Sequence, residues 1–342
     1  MAVDQLKETL VAGLEQTFPA KLGLDKLVFG NAVETTYDTE KISIDVFDGT
    51  RGAAKYTARG AKGQTVGLEG WDTIVVNPPL IDERFTLSAQ DLKLRNFGEG
   101  NVNAPAGNKL QTIINRQLTR IKNRKQMTYN KQIKELITTG KVTIIEYDDK
   151  GNAKASRTED FQMPSTHIYT VGTAWNNGAA DIWSDMRTID ELIIKDSGLS
   201  PDRAIVGKLT IMDMLSNAKI KDMLKTNSGI KFGEAFKQTQ ADGLIYWGNL
   251  DGKDIYEFID FDESGNSIIP ASAYVPFAST AELDIHYGSQ DVIVNGMPAV
   301  VESKEVAIES IDEEAVAKSW KFKSAKLYAL TQSAAFGCLT TR

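Results

Sequence analysis

The residue types that most often perform acid–base or nucleophilic chemistry are scarce in this chain. Its 342 residues include two histidines, His167 and His286, and one cysteine, Cys338. A Ser/His/Asp triad would have to use one of these histidines, and no Gly-x-Ser-x-Gly turn presents a serine for it. A single cysteine excludes an intrachain disulfide and a thiolate metal cluster, and its apolar surroundings predict a packed, inert thiol. We therefore expect structural histidines and no catalytic constellation.

The sequence also does not match the phosphate-binding and metal-binding motifs when it is compared with them residue by residue. Each Gly-Lys pair lacks the following serine or threonine of a phosphate-binding loop, and none has the second glycine upstream. The stretch Asp260–Gly265 places oxygen ligands and a glycine as a calcium loop does, but the final ligand position is Ala271 instead of glutamate. A turn between strands is the better interpretation. The sequence predicts no cofactor and no metal.

Basic residues are the remaining functional signal. The chain has a formal net charge of −7, which argues against a protein whose main task is to coat DNA. Positive charge is nevertheless concentrated in two stretches. The glycine-rich segment 49–70 carries Arg51, Lys55, Arg59 and Lys62, and the segment 107–139 carries eight basic residues before its first carboxylate, including Arg116, Arg120, Arg124 and Lys125. Acidic groups elsewhere must balance this charge.

The second of these stretches predicts one long helix. From Gly107 to Thr139 apolar residues recur every three or four positions, which places them along one side of a helix. A helix of this size would be about 45–50 Å long. The apolar stripe is interrupted at 122–125, so either the helix bends there or its buried face passes beyond the edge of the supporting sheet. Gly140 is expected to end the helix as a C-cap glycine.

The first stretch predicts the tip of a long hairpin. Apolar and polar residues alternate from Lys41, and strand-like sequence resumes at 73–76 and 83–87. Between them, the segment from Gly49 to Gly70 has too few apolar residues to fold alone and is too long for an ordinary turn. We interpret 41–87 as a two-stranded excursion. Because an isolated hairpin is marginal in water, we expect it to rest on a neighbouring molecule.

Weaker patterns account for the rest of the chain. They predict a short helix over 3–16 on an arm, a hairpin over 141–161 with its turn at 148–152, helices over 182–194 and 211–224, a strand over 203–209, strands over 244–247 and 255–259, and final strands over 319–329 and 332–339. Residues 181–302 read as a second, α+β domain, and the final strands are expected to return to the sheet of the first.

Composition allows a sizeable core and gives no sign of a membrane protein. The chain is 42% hydrophobic, but no apolar run approaches the roughly 18–20 residues that span a bilayer. Its first residues form an acidic amphipathic segment without the charge pattern of a signal peptide. We expect a protein that is made in a cytoplasm and has no membrane partner.

Taken in order, these elements resemble the lambda-like family of tailed-bacteriophage major capsid proteins. The resemblance lies in the arm, Tyr37–Lys41 leading into a strand, the glycine-rich hairpin, Asn77-Pro78-Pro79, the long helix with its exit from Leu136 into 142–144, and the closing strands over 325–339. It implies the Hong Kong 97-type capsid fold, an α+β architecture. By that mapping the chain comprises an N-terminal arm (1–40), an E-loop (41–87), a peripheral domain (88–180) with a spine helix (107–139), an axial domain (181–302) and strands that return to the peripheral domain (303–342).

The resemblance also implies a function. The chain would self-assemble into hexamers and pentamers of an icosahedral shell that encloses double-stranded DNA, and it would not be an enzyme. Implied partners are other copies of itself, a scaffolding protein and a portal, with a decoration protein as a further candidate, and contact with the packaged DNA would be non-specific. The location would be the virion capsid, after assembly in the host bacterial cytoplasm. Residues Arg51, Lys55, Arg59, Lys62, Arg116, Arg120, Arg124 and Lys125 would then contact neighbouring subunits.

Three alternatives stay open at this point. An encapsulin-like cellular nanocompartment would use the same fold to build a shell without a phage. An enzyme could be hidden in the α+β region, where carboxylates are plentiful. A nucleic-acid-binding protein could use the basic helix, and its DNA affinity would then depend on salt.

Overall fold

The computed structural model describes residues 22–47, 71–88, 106–148, 150–226, 242–294, 297–312 and 317–342. Its helices are α1 (Gly23–Phe29), α2 (Ala106–Thr139), α3 (Ile182–Ser197), α4 (Lys208–Ser216) and α5 (Ala218–Thr226), with short 3₁₀ helices at Ser165–His167 and Ser333–Ala335. Its strands are β1 (Val33–Thr36), β2 (Ile42–Phe47), β3 (Trp71–Val76), β4 (Leu80–Ser88), β5 (Lys141–Tyr147), β6 (Ala153–Asp160), β7 (Ile168–Thr170), β8 (Arg203–Val206), β9 (Leu244–Leu250), β10 (Lys253–Phe258), β11 (Ala273–Phe277), β12 (Asp284–Tyr287), β13 (Gln290–Val294), β14 (Met297–Val301), β15 (Val306–Asp312), β16 (Ala317–Ala329) and β17 (Cys338–Thr340). Within these ranges, no helix is long and apolar enough to cross a membrane. The expected short helix over 3–16 lies outside the described residues.

A five-stranded sheet is built around β16. Strands β4 and β15 pair antiparallel with the first part of β16, β12 pairs antiparallel with its last part, and β1 pairs parallel with β12. Trp320 and Phe322 are two positions apart on β16 and therefore face the same side of the sheet. Both are buried in a cluster with Leu118 and Ile121 of the long helix, and Phe85 of β4 stacks on Trp320 with ring centroids 4.9 Å apart. This packing holds the first half of the helix on the sheet.

The predicted long helix is confirmed as α2, which begins one residue before the predicted start. Its second half buries Tyr129, Ile133 and Leu136 in the main core of the molecule. The helix ends at Gly140, whose φ is +68° and whose N–H donates to the carbonyl oxygen of Leu136 at 2.9 Å. This left-handed conformation satisfies an end carbonyl of the helix, as a C-cap glycine does. The predicted cap is therefore confirmed.

A buried lysine accounts for the interruption of the apolar stripe. The helix continues through 122–125, and its buried face continues as well, because Lys125 is only 8% exposed. Lys125 is four residues from Ile121 and four from Tyr129, which are both buried, so it occupies the missing position of the stripe. The expectation that the buried face leaves the sheet here is wrong: a lysine fills the position.

The hairpin expected over 41–87 is confirmed at its base and corrected at its end. Strands β2 and β3 pair antiparallel from Ile42 opposite Val76 to Phe47 opposite Trp71, and the tip, 48–70, lies outside the described residues. Residues 80–88 do not continue the hairpin, because β4 pairs with β16 in the five-stranded sheet. Pro78 and Pro79 separate the two units, since proline has no N–H to extend a ladder.

The second hairpin is confirmed as β5 and β6. They pair antiparallel from Lys141 opposite Asp160 to Tyr147 opposite Ala153. At the turn, a carboxylate oxygen of Asp148 accepts the backbone N–H groups of Lys150 at 2.9 Å and Asn152 at 2.8 Å. The side chain of Asp148 thus fixes the turn locally.

A six-stranded sheet in the order β7-β17-β11-β8-β10-β9 forms the second layer of strands. Helix α3 packs on it through buried Met186, Ile189 and Ile193, and the helix predicted over 182–194 is confirmed. The predicted strand over 203–209 is too long, because α4 begins at Lys208. The single helix predicted over 211–224 is two helices, because Asn217 adopts an extended ψ of 130° between them. The strands predicted at 244–247 and 255–259 are confirmed as β9 and β10.

The end of the chain also differs from the prediction. The strand over 319–329 is confirmed within β16, but 332–339 is a 3₁₀ helix followed by the short strand β17. Strand β17 pairs with β11 and β7 in the six-stranded sheet and does not return to the sheet of β16. Gly337 permits this path, because an added Cβ would lie 2.8 Å from the side chain of Ile189 on α3. The domain boundaries drawn from the resemblance remain a prediction.

Candidate assembly surfaces

Three arginines form an exposed row on the long helix. Arg116, Arg120 and Arg124 are four residues apart, so they lie on one side of α2, and all three are exposed. They line a shallow depression of about 390 Å³ together with Thr119, Asn123 and Met127. We call these three residues the outward arginine row. The structure thus brings together three of the eight basic residues expected to serve assembly.

Arg124 has a carboxylate partner within the chain. A guanidinium nitrogen of Arg124 lies 3.0 Å from Oε1 of Glu83 on β4, while the Arg124 side chain stays 60% exposed. Exposed ion pairs of this kind contribute little to stability. Arg124 therefore ties the helix loosely to β4 and remains accessible from outside.

Lys125 lies on the buried side of the long helix, away from the outward arginine row. Its ammonium lies 2.5 Å from Oε1 of Glu305, in the segment that leads into β15. Lys125 thus has a carboxylate partner in its own chain, and we base the assembly proposal on the outward arginine row. The other four predicted residues, Arg51, Lys55, Arg59 and Lys62, lie outside the described residues.

Sequence reasoning missed a buried lysine beside the long helix. The ammonium of Lys326 on β16 donates to the Tyr328 hydroxyl at 2.6 Å and lies 4.3 Å and 5.1 Å from the ring centroids of Tyr328 and Tyr129. A carboxylate oxygen of Asp25 on α1 is 3.6 Å away. Burial lowers the pKa of Lys326, and Asp25 opposes this shift. The sequence signal was a lysine and a tyrosine two positions apart in the last part of β16, where the other residues are apolar.

Polar contacts join the long helix to the turn at 260–266. Asn130 is fully buried, and its amide donates to a carboxylate oxygen of Asp260 at 3.0 Å. In the turn itself, one carboxylate oxygen of Asp262 accepts the N–H groups of Ser264 and Asn266, both at 2.8 Å. These bonds lower the pKa of Asp262, that from Asn266 most. The interpretation of this stretch as a turn is confirmed, and the described residues contain no group of three potential metal ligands.

Both histidines are buried and contact structural groups. The Nδ1 and Nε2 atoms of His167 lie 2.9 Å from the carbonyl oxygen of Phe336 and 3.0 Å from a carboxylate oxygen of Asp196. Nδ1 of His286 is 3.2 Å from the hydroxyl of Tyr37. Burial lowers the pKa of His286. His167 therefore joins three segments of the chain, which confirms the structural role expected for it.

The single cysteine is buried as well. Cys338 is 7% exposed, and burial raises the pKa of its thiol to about 11. A thiol of this kind is protonated at neutral pH and does not act as a nucleophile. The expected packing of the cysteine is confirmed.

A second exposed surface is apolar. Strands β13 and β14 pair only with each other within the described residues. Ile293, Met297 and Val300 on this hairpin are 71%, 73% and 58% exposed. By the register of the two strands, Ile293 and Val300 lie on one face of the hairpin and Met297 on the other. Exposed apolar groups on one face are typical of protein–protein contacts. The sequence gave no sign that Ile293 is exposed while its neighbour Val292 is buried.

Two solved structures share this architecture across nearly their full lengths. A prophage protein from Escherichia coli CFT073 that is described as its capsid protein has a TM-score of 0.67 and 13% identity, over 98% of this chain and 99% of that one. A phage-related protein from Bordetella bronchiseptica RB50 has a TM-score of 0.52 and 12% identity, over 98% and 96%. No curated protein sequence matches the chain. The expected Hong Kong 97-type capsid fold is confirmed.

The sequence comparison is more specific. The model of the family described as phage major capsid protein E matches residues 8–330. The match spans nearly all of the chain, and it favours a phage shell over the nanocompartment that the same fold could build. The chain belongs to the phage major capsid protein E family, and its function is to form the shell of a phage capsid.

Proposed function

We propose that each subunit clasps a neighbour in the shell through the hairpin that begins at Ile42 and ends at Val76. The observation that carries this proposal is the pairing of β2 and β3, which in the described residues form a sheet only with each other. Ile42, Ile44 and Val76 anchor the base of the hairpin in the main core. A two-stranded arm is marginal in water and gains stability from a surface on which it lies. In a closed shell, that surface is another copy of the chain.

The domain roles follow the two sheets. We assign the long helix and the five-stranded sheet to the peripheral domain, with α2 as its spine. The six-stranded sheet with α3 forms the axial domain, at the centre of hexamers and pentamers. This assignment rests on the packing of the long helix in one cluster of buried side chains and of α3 in another, with the six-stranded sheet contributing residues to both. Strand β17 then belongs to the axial domain instead of returning to the peripheral one.

The outward arginine row is our candidate for a polar contact between subunits. Arg116, Arg120 and Arg124 are exposed, and the chain as a whole carries a net charge of −7. A neighbouring copy therefore offers more acidic than basic groups, which complements three arginines. The same net charge disfavours tight adhesion of packaged DNA to the shell, so contact with double-stranded DNA would be non-specific.

Further partners follow from the capsid family. A scaffolding protein, a portal and a decoration protein are the remaining proposed partners, and assembly would take place in the cytoplasm of the host bacterium before the protein becomes part of the virion. The role is structural and not enzymatic. The family match supports this role because a capsid subunit acts through its contacts with other copies of itself.

Removal of the hairpin tip tests the proposed clasp. We expect a chain that lacks residues 50–70 to fold with an unchanged melting temperature, because the described cores lie outside that segment. Electron microscopy should show no closed particles, since the subunit has lost its hold on a neighbour.

A control variant with the original chain length distinguishes the loss of side-chain contacts from the shortening of the hairpin. Residues 50–70 are replaced by glycine and serine, and this variant should also fail to close shells. Normal particles from the deletion variant would overturn the clasp.

A further inference from the structure

Two tyrosines occupy one row on the face of the six-stranded sheet that α3 covers. Tyr169 of β7 and Tyr274 of β11 both lie opposite Leu339 of β17, one on each side of it. Residues directly opposite each other on paired strands point to the same face of a sheet. Both tyrosines belong to or pack against the cluster of buried side chains that includes Ile189 of α3. Their side chains therefore extend into the contact between α3 and the sheet.

The hydroxyl groups of these two tyrosines have no partner in the described part of the chain. Tyr274 is 0% exposed, and the hydroxyl oxygens of both tyrosines are shielded from solvent. No group of the described residues makes a hydrogen bond to either oxygen. Buried polar groups in proteins are nearly always hydrogen-bonded, to the protein itself or to ordered water.

Asp190 contributes a third buried oxygen from the helix side. One of its carboxylate oxygens accepts a hydrogen bond from the ammonium of Lys253 on β10, and the other, Oδ1, has no partner among the described residues. Burial raises the pKa of Tyr274, and the charge of Asp190 raises it further. Asp190 also helps to raise the pKa of Tyr169, after burial and the charge of Asp185. Because such interactions weaken with distance, the carboxylate of Asp190 lies near both hydroxyls.

The three oxygens determine which kind of molecule could bind between them. Each tyrosine hydroxyl can donate a hydrogen bond, whereas the ionised carboxylate of Asp190 can only accept one. An apolar molecule would leave all three oxygens unpaired, and a second cation is disfavoured because the Lys253 ammonium already contacts this carboxylate. Water both donates and accepts, and a buried water makes about three hydrogen bonds to groups that otherwise have none.

We propose that one ordered water molecule binds between α3 and the six-stranded sheet, where it accepts hydrogen bonds from Tyr169 and Tyr274 and donates one to Oδ1 of Asp190. The water connects α3 to two strands that are far from each other in the sequence. It also hydrates the oxygen of Asp190 that Lys253 does not contact, which favours the charged form of Asp190 and so the ion pair. All residues of the site belong to one chain, so the site does not depend on the proposed clasp.

Replacement of one tyrosine by phenylalanine tests whether its hydroxyl is hydrogen-bonded. Tyr274→Phe should lower the melting temperature of the subunit by roughly 3 °C, because it removes a hydrogen bond to the water. If the hydroxyl had no partner, the same change would remove an unfavourably buried polar group, and the melting temperature would rise. Tyr147→Phe is the control and should have no effect, since Tyr147 is 64% exposed. An unchanged or raised melting temperature for Tyr274→Phe would overturn the proposal.

A double variant tests whether the two hydroxyls share one water. Tyr169→Phe combined with Tyr274→Phe should lower the melting temperature by less than the sum of the two single changes, because the first substitution already weakens the binding of the water to the second hydroxyl. Two losses that simply add would mean that each hydroxyl has a separate partner, which would contradict the shared site.

A crystal structure of the chain, at a resolution that shows ordered water, identifies the bound molecule. We expect a solvent peak at about 2.6–3.2 Å from both the Tyr274 hydroxyl and Oδ1 of Asp190. The peak should weaken or disappear in crystals of the Tyr274→Phe variant. A direct hydrogen bond between either tyrosine and Asp190, or the lack of a peak between them, would overturn the proposal. Neither result would bear on the capsid assignment, because the site lies within one subunit.

Discussion

Lys125 and Glu305 form an ion pair of 2.5 Å at the position where charge interrupts the apolar stripe of the long helix. The two partners differ in environment: the lysine side chain is 10% exposed, and the glutamate side chain is 47% exposed. Loss of the glutamate would leave a cation in a largely buried place without its partner. The pair also connects the middle of the long helix to the segment just before β15, and so holds the sheet edge to its supporting helix.

The first prediction concerns this pair. Glu305→Gln should lower the free energy of unfolding by about 1–2 kcal/mol, which is below the full cost for a buried pair because Glu305 is half exposed. Lys125→Met should lower the free energy of unfolding by less, since an apolar side chain fits the buried face of the long helix. Urea denaturation measures both.

Lys131→Gln is the matched control for that experiment. It breaks the exposed pair with Glu263, at 3.4 Å, on the same helix. It should cost less than about 0.5 kcal/mol. A larger loss for Lys131→Gln than for Glu305→Gln would contradict the importance of burial at Lys125.

The second prediction separates assembly from folding at the outward arginine row. Arg120→Glu combined with Arg124→Glu should reduce the yield of closed particles sharply, because two positive charges become negative in a surface that we propose meets acidic neighbours. The free energy of unfolding of the subunit should change by less than about 1 kcal/mol, since both side chains are exposed. Particle yield is measured by electron microscopy and sedimentation.

Lys150→Glu, at the exposed turn between β5 and β6, controls for a general effect of charge. It should leave the particle yield unchanged. Unchanged yield from the double variant, together with a lowered melting temperature, would show that the row stabilises the subunit instead of the shell.

The third prediction concerns the end of the long helix. At Gly140 the left-handed backbone and an added Cβ at 2.3 Å from the Cβ of Met163 both oppose a side chain. Gly140→Ala should therefore lower the free energy of unfolding by roughly 2–3 kcal/mol. Gly151→Ala has the same left-handed backbone, but its Cβ meets nothing within 4 Å, so it should cost only about 1 kcal/mol. Thermal denaturation measures both variants. If both lost the same free energy of unfolding, Met163 would have moved away from the added Cβ at no cost.

The fourth prediction is a dependence on pH. Burial lowers the pKa of His286 in the folded chain, whereas an unfolded histidine titrates near pH 6.5. Below that pH the unfolded chain binds more protons at this site, so the free energy of unfolding falls as the pH falls. His286→Gln keeps a hydrogen-bonding group near Tyr37 but does not titrate.

The measurement compares both proteins at about pH 7.5 and about pH 5.5. The variant should lose less of its free energy of unfolding between the two values than the original chain does. The same loss in both would mean that other groups cause the acid sensitivity.

Local patterns in the sequence were sufficient to predict elements whose stability comes from neighbouring residues. The helix from Gly107 to Thr139 follows from a repeated apolar spacing, and the base of the hairpin follows from the alternation at Ile42 and Ile44. Gly140 by itself predicts the left-handed turn that ends the helix. In each case the residues that determine the element lie within it.

Features that depend on distant partners could not be predicted in the same way. The sequence shows that charge interrupts the stripe at Lys125, but only the fold brings Glu305 to it. Residues 80–88 and 338–340 have ordinary strand patterns, and nothing local says which sheet they join. Lys326 looks like a surface residue until Tyr129 and Tyr328 enclose it. The candidate assembly surfaces share this limit, because exposure is a property of the whole fold.

The pairing of β4 with β16 has a consequence for the timing of biosynthesis. Strand β4 lies early in the chain and β16 late, and within the described residues β4 has no other partner strand. Contacts this far apart in sequence close a long loop, which slows folding and leaves β4 as an open strand edge on the ribosome. The five-stranded sheet is complete only after β16 has emerged. The topology therefore delays the completion of this sheet, and the burial of the side chains between it and the long helix, until late in translation.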